Sequence, residues 1–234
     1  MSSVSIVIPA YNEAATLDDM LGRSVRTLQE HTQDWEIVIA DDGSKDETPA
    51  RIEEWFHRFP DRLRCIRHPH RRGMAATFEE LYRNASKDVI FFVHGDGQYP
   101  PESLKDALPL LSKHDIVLLA REHKYYGPWR WLLSAGYRLV PMVLFGIDLV
   151  DTGCSKCMKR SVIEETPIRS RGIFAEAERV IRAVRNGRTF TVIHIPTEKR
   201  RAGKARGGNP LLGIQATWDA VSLFIHLRLL RRTT

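Results

Sequence analysis

The 234-residue sequence predicts an α/β fold built on an open, mostly parallel sheet flanked by helices. Three observations carry that reading. Short β-branched runs alternate with stretches of helical spacing, the order that a parallel sheet covered by helices requires. Two of the runs, Ile37-Val38-Ile39 and Val89-Ile90-Phe91-Phe92-Val93, are apolar without a break, as strands buried on both faces must be. The residues that follow the runs are polar and acidic, which puts chemistry beyond the carboxyl ends of the strands, where open α/β sheets bind ligands.

Taken in order, strand-like runs at residues 4–8, 36–40, 63–67, 89–93 and 116–119 are separated by helical stretches at 14–30, 47–59, 73–85 and 102–112. The first helix shows why: Leu17, Met20, Leu21, Val25 and Leu28 recur at three and four residues and make one buried face. The second half is less regular. A helix over 129–145 carries Arg130, Ser134 and Arg138 every four positions, on one stripe. A strand at 152–158, a helix at 175–186 and a strand at 190–195 follow. Residues 199–209 form a basic, glycine-rich loop, and 211–230 a strongly apolar helix whose narrow polar stripe is Gln215, Asp219, Ser222 and His226. The chain therefore divides into one domain at 1–209 and a C-terminal amphipathic helix at 210–234.

Composition narrows the function. Hydrophobic residues at 43% and charged residues at 27% exclude a disordered chain, and 15 Gly with 12 Pro exclude a collagen-like one. Three Cys cannot staple a small scaffold and suit a reducing compartment. Cys154-x-x-Cys157 lacks the second pair that a zinc site needs. The most apolar stretch, 131–147, is broken by Arg138 and Pro141 and falls short of the roughly 20 residues that span a bilayer. The first eight residues run into Pro9 with no basic leader, so a cytoplasmic protein without a spanning segment is expected. A net charge of +6 suggests an anionic partner. No nucleic-acid recognition motif is present, so that partner is not nucleic acid.

The sharpest motif is His94-Gly95-Asp96-Gly97-Gln98, directly after a buried strand. Two ligands on one side of such a turn can hold a divalent cation that bridges a diphosphate leaving group. A plain polar turn is the alternative, since Asp-Gly is a common turn dipeptide. Farther back, His68-Pro69-His70-Arg71-Arg72-Gly73 either binds phosphate at a helix start or forms a solvated basic loop. His31, His57 and His114 lie near helix ends and read as surface residues.

Pro9-Ala10-Tyr11-Asn12-Glu13, Asp41-Asp42-Gly43-Ser44 with Asp46 and Thr48, and Asp96-Gly97-Gln98-Tyr99-Pro100-Pro101-Glu102 together resemble the signature of family 2 glycosyltransferases. Within that family the chain most resembles the polyprenyl-phosphate glycosyltransferases, closely over about the first 120 residues and more loosely to 209. The resemblance implies a GT-A-type open mixed sheet and sugar transfer from a nucleotide-diphosphate donor (UDP or GDP) to a polyprenyl phosphate, with inversion and with Mn²⁺ or Mg²⁺. Carried over by position, it implies that Pro9, Tyr11 and Glu13 border the nucleotide, that Asp42 contacts base or ribose, and that Asp41 holds the loop. Asp96 and Gln98 would ligate metal and face the diphosphate. Arg121 would lie near the phosphates, Arg130 and Ser134 would hold the acceptor phosphate, and the loop starting at Arg200 would close over the donor.

Two departures from the family pattern matter. His94 stands where the family has its first metal-motif carboxylate; as a ligand it favours Mn²⁺, which accepts nitrogen better, and otherwise it only packs beside Asp96. Ala205-Arg206 replaces the Ser-Lys of the mobile loop. Asp151 has two readings: a base that deprotonates an acceptor hydroxyl, or a structural residue that orients Arg and Lys side chains if the acceptor is a phosphate, already ionised at neutral pH. The alternatives are thus a hydroxyl-acceptor glycosyltransferase and a catalytically dead nucleotide-sugar-binding protein. The tail helix, with Arg228, Arg231 and Arg232 at its end, and the helix near Trp129, Trp131 and Tyr137 suit a membrane surface, making the protein peripheral on the cytoplasmic face. Packing onto the domain or into a homo-oligomer is the other way to cover them.

Overall fold

The computed structural model describes residues 2–123, 128–151, 153–198 and 210–230. Strands β1 (Val4–Ala10), β2 (Trp35–Asp41), β3 (Leu63–Arg67), β4 (Val89–Phe92), β5 (Ile116–Arg121), β6 (Ser155–Lys159) and β7 (Phe190–Ile195) form one sheet in the order β3-β2-β1-β4-β6-β5-β7. Helices α1 (Ala14–His31), α2 (Thr48–Arg58) and α3 (Met74–Asn84) connect the first four strands, which pair in parallel. Ile6, Ile37, Ile39, Ile90 and Phe91 are completely buried, as uninterrupted apolar strands demand. The α1 face of Leu17, Met20, Leu21 and Leu28 is equally buried, so truncating one of these leucines to Ala costs about 2–5 kcal/mol.

Two elements differ from expectation. Residues 102–112 do not make one helix: α4 (Leu104–Ala107) is a single turn between 3₁₀ segments at Pro101–Ser103 and Leu108–Ser112. Pro109 has no N–H to continue the ladder and crowds the preceding turn. The strand expected at 152–158 begins at Ser155, reaches Lys159, and passes into the short α6 (Arg160–Glu165).

Strand β6 is also the one that reverses. It runs antiparallel between β4 and β5, with Lys156 opposite Phe92 on one side and Leu118 on the other. Its amino end therefore meets the carboxyl ends of β4 and β5, and the turn that precedes it joins the loops of the first half. That reversal sets where the site can be.

Helices α5 (Pro128–Phe145), α7 (Ala175–Arg185) and α8 (Pro210–Leu230) complete the described fold. Ala216, Ala220 and Leu223 of α8 are buried in the core. The polar stripe of α8 borders the packed face: Gln215 and Asp219 lie against Gly172 and Arg169 donates to His226 at 2.8 Å, while Gln215 and Ser222 stay exposed. Leu211, Ile214, Trp218 and Ile225 point outward, the tryptophan 72% exposed. Among the described residues no helix is long and apolar enough to cross a membrane.

Candidate active site

The loops after β1 and β2 are stitched together by short polar side chains. The Asn12 amide donates to Ser44 Oγ at 2.9 Å, and the Lys45 amide returns a bond to Asn12 Oδ1 at 2.8 Å. The Glu13 amide donates to Thr48 Oγ1 at 2.9 Å, and Asp46 accepts from the amides of Thr48 and Ala14. Asn12 has a φ of 55°, the left-handed conformation that asparagine tolerates better than most residues. Buried Asp41 accepts from the Ser44 amide at 2.9 Å and closes the turn. Gly43 is required there: with a φ of 75°, a Cβ would stand 2.9 Å from the His70 carbonyl carbon.

Asp42, 6% exposed, faces the 68–73 segment. Its Oδ1 accepts from the Arg72 amide at 2.7 Å and lies 2.9 Å from His68 Nδ1, and its Oδ2 accepts from the Gly73 amide at 3.1 Å. Burial opposes its charge, but the Arg72 amide, His68 and the Gly73 amide together hold the carboxyl below its usual range. The far ring nitrogen of buried His68 is 2.7 Å from Glu80. The segment is thus a largely exposed basic loop, Pro69 to Arg72 facing solvent, anchored at buried His68, and its amides at the start of α3 are not free, because Asp42 occupies them. It carries Arg71, whose guanidinium lies over the Tyr11 ring at 4.6 Å.

The turn after β4 packs hard against β1. A Cβ on Gly95 would lie 2.6 Å from the Pro9 carbonyl oxygen, so only glycine fits. Thr16 Oγ1 donates to the Gly95 carbonyl at 2.9 Å, and Asp96 Oδ1 accepts from the Gln98 amide at 3.1 Å. His94 sits edge-on to Phe92 and stacks on Tyr99, with ring centres 4.7 and 4.8 Å apart. Its Nε2 is buried with no hydrogen-bond partner. Burial pushes its pKa down to about 4, with Lys156 and Arg121 adding to that and Asp96 opposing it. The imidazole is therefore neutral at ordinary pH.

The unpartnered neutral nitrogen of His94, with Asp96 and Gln98 two and four residues on, makes a set of donor types that a divalent cation accepts. Among the described residues there is no cluster of three His, Cys, Asp or Glu side chains that could hold a metal alone. Ligand oxygens would have to complete the shell.

Across the sheet, Arg121 ends β5 and donates to both oxygens of Asp151, Nε to Oδ2 at 2.8 Å and an Nη to Oδ1 at 2.9 Å. Asp151 is buried, and the Arg121 guanidinium lies 5.9 Å from the centre of the Tyr99 ring. The edge thus brings together residues 9–13, 41–46, 94–98, Arg121 and Asp151. Ser134 lies half-buried on α5. Arg130 falls within α5, but its side chain is outside the described residues, as are Thr152, Arg200 and the rest of the 199–209 loop. The third member of the α5 stripe, Arg138, pairs with Asp148. Sequence reasoning named Arg71 only as part of the 68–73 segment, not as a neighbour of Tyr11, and missed Lys156. A lysine within a strand that must be buried is the signal that could have found the latter.

A model of the family Glycosyl transferase family 2 matches residues 5–166, more than half of the chain. The undecaprenyl-phosphate 4-deoxy-4-formamido-L-arabinose transferase of Pseudomonas syringae pv. syringae (strain B728a) is 26% identical over 163 residues, 69% of this chain and 48% of that protein. Its namesake in Proteus mirabilis (strain HI4320) is 24% identical over 166 residues, 70% and 51% of the two chains. The chain spans about half the length of these curated relatives. Among solved structures, glucosyl-3-phosphoglycerate synthase from Mycobacterium tuberculosis in complex with Mn²⁺, UDP and phosphoglyceric acid superposes with a TM-score of 0.75 at 17% identity, over 95% of this chain and 78% of that one. The same synthase with Mg²⁺ and UDP gives 0.70 at 17% identity, over 95% and 79%. At such identities the likeness shows the fold, which is that of GT-A glycosyltransferases.

Proposed function

The chain belongs to glycosyl transferase family 2, and on that premise we propose that it moves a sugar from a UDP- or GDP-sugar to a polyprenyl phosphate, with inversion and with a divalent cation. The observation that carries the acceptor assignment is the bidentate Arg121–Asp151 pair. A carboxylate bound through both oxygens to a guanidinium is a poor base, and a phosphate oxygen needs none. The relatives that act on undecaprenyl phosphate support the same choice by their names.

In this reading the nucleoside lies at Pro9, Tyr11 and Glu13 with Arg71 beside it, Asp41 holds the loop after β2, and Asp42, which also braces the 68–73 segment, contacts base or ribose. Asp96 and Gln98, with His94 at their side, would hold Mn²⁺ or Mg²⁺, which supplies positive charge to the departing diphosphate. Arg121 faces the phosphates, Arg130 and Ser134 receive the acceptor phosphate, and the loop from Arg200 covers the donor. An acceptor phosphate oxygen attacks the anomeric carbon from the face opposite the diphosphate. The new C–O bond forms as the bond to the diphosphate oxygen breaks, and the nucleoside diphosphate leaves. The guanidinium groups offset repulsion between two anionic reactants.

The outward apolar side chains of α8, with Leu139, Met142 and Val143 exposed on α5, support docking on a membrane surface, where the acceptor phosphate is presented. The reading is tested by incubating the protein with Mn²⁺ or Mg²⁺, labelled UDP- and GDP-sugars and undecaprenyl phosphate, then extracting into organic solvent. Label in the organic phase is the expected result. Donor binding without any labelled lipid would overturn it.

A further inference from the structure

One charged group outside these loops lies deep in the sheet. Lys156, the second residue of β6, is 2% exposed. Burying an ammonium is costly unless it is paired. Its Nζ donates to the Cys154 carbonyl at 3.0 Å and stands 3.4 Å from Glu176 Oε2. Glu176, on α7, is itself buried and accepts from the Tyr82 hydroxyl of α3 at 2.9 Å. Two helices therefore anchor the lysine from behind.

In front, Lys156 holds the turn that enters β6. The Cys154 amide donates to the Asp151 carbonyl at 3.1 Å and closes that turn, and the Asp151 side chain takes Arg121 with both oxygens. Asp151, Lys156 and Glu176 line one narrow space together with Leu118 and Leu149. A continuous set of contacts runs from Tyr82 through Glu176, Lys156 and the turn to Asp151 and Arg121.

We propose that Lys156 is a positioning residue for Arg121: by fixing the turn, it sets the Asp151 carboxylate so that the guanidinium is held toward the donor diphosphate. An apolar side chain would fill the same space without the desolvation cost. What the ammonium adds is a directed bond to the Cys154 carbonyl. The inference rests on the reading of Arg121 as a residue that faces the donor phosphates.

The test is calorimetric titration with UDP and GDP, and with uridine and guanosine, which lack the phosphates. K156M alone leaves buried Glu176 with only the more distant Arg179 guanidinium, at 3.8 Å, as a cationic partner, so the folded comparison is K156M/E176Q, in which position 176 can still accept from Tyr82. The proposal predicts that K156M/E176Q binds the better nucleoside diphosphate about tenfold more weakly, a charge-assisted bond's worth, with nucleoside affinity unchanged. In an R121Q background the same two substitutions should change diphosphate affinity by less than about twofold, because their effect passes through Arg121. Equal weakening of nucleoside and nucleoside diphosphate, or a full effect in the R121Q background, would overturn it. Wild-type protein that binds neither diphosphate would instead refute the nucleotide-sugar reading. R121Q binding as tightly as wild type would refute the role of Arg121, and in both cases the proposal falls with its premise.

Discussion

Replacing Asp151 by Asn separates a structural carboxylate from a catalytic base. The parent side chain accepts two charge-assisted bonds, at 2.8 and 2.9 Å, from a guanidinium whose side chain is 15% exposed, and is itself 4% exposed. The amide keeps one acceptor and sets an NH₂ against an Arg121 N–H. One charge-assisted bond is worth about 1.5–3 kcal/mol, and removing one partner of a buried pair costs about 3–5 kcal/mol. Because Arg121 keeps some solvent, a loss of about 3 kcal/mol is expected. Urea denaturation followed through the five tryptophans measures it. The double substitution R121M/D151L should recover most of the loss, since no buried charge is then left alone. Nucleoside diphosphate affinity should fall in D151N as Arg121 leaves its place. Stability within about 0.5 kcal/mol of the parent, together with abolished transfer and intact donor affinity, would refute the reasoning and make Asp151 the base.

Other consequences follow from single contacts. Gly95→Ala forces the turn after β4 off the Pro9 carbonyl, so a loss of about 1–3 kcal/mol in urea denaturation is expected, with weakened metal-dependent UDP binding. Asp115 is held down to about pKa 2, first by the Thr189 amide and then by Lys159. Its depressed folded pKa means that its contribution is present above about pH 4 and is lost as pH falls towards 2. Asp115→Asn should therefore destabilise the protein at pH 7 and flatten its stability profile between those values, and an unchanged acid limb would contradict the assignment. Trp218→Ser, at an outward position, should leave the melting temperature within a few degrees and reduce sedimentation with anionic liposomes. Equal sedimentation would remove α8 from the membrane contact.

The first half of the fold was legible because β1, β2 and β4 are buried on both faces and the α1 helix repeats Leu, Met and Val at three and four residues. The reversal of β6 was not. Ser155-Lys156-Cys157-Met158-Lys159 carries no pattern that distinguishes a parallel from an antiparallel neighbour, since strand direction comes from the path of the connection and not from side-chain period. That reversal is what carries Asp151 to Arg121, so the pair could be named from the sequence only as two separate residues. Asp42 illustrates a second gap. Its place after β2 was clear, but the Arg72 and Gly73 amides that fill its oxygens come from 30 residues away in a loop without regular spacing. His94 could be read as a departure from the family's acidic pattern. Its neutral, stacked state depends on Phe92, Tyr99 and burial, which only the packing supplies.

The central claim is that the acceptor is a phosphate. The most direct measurement compares two acceptors, undecaprenyl phosphate and its dephosphorylated alcohol, in the same detergent with the same labelled donor and Mn²⁺. Transfer to the phosphate alone, lost when Arg121 is replaced by Gln, is the result expected here. Transfer to the alcohol at a comparable rate would contradict the account and restore Asp151 as the base.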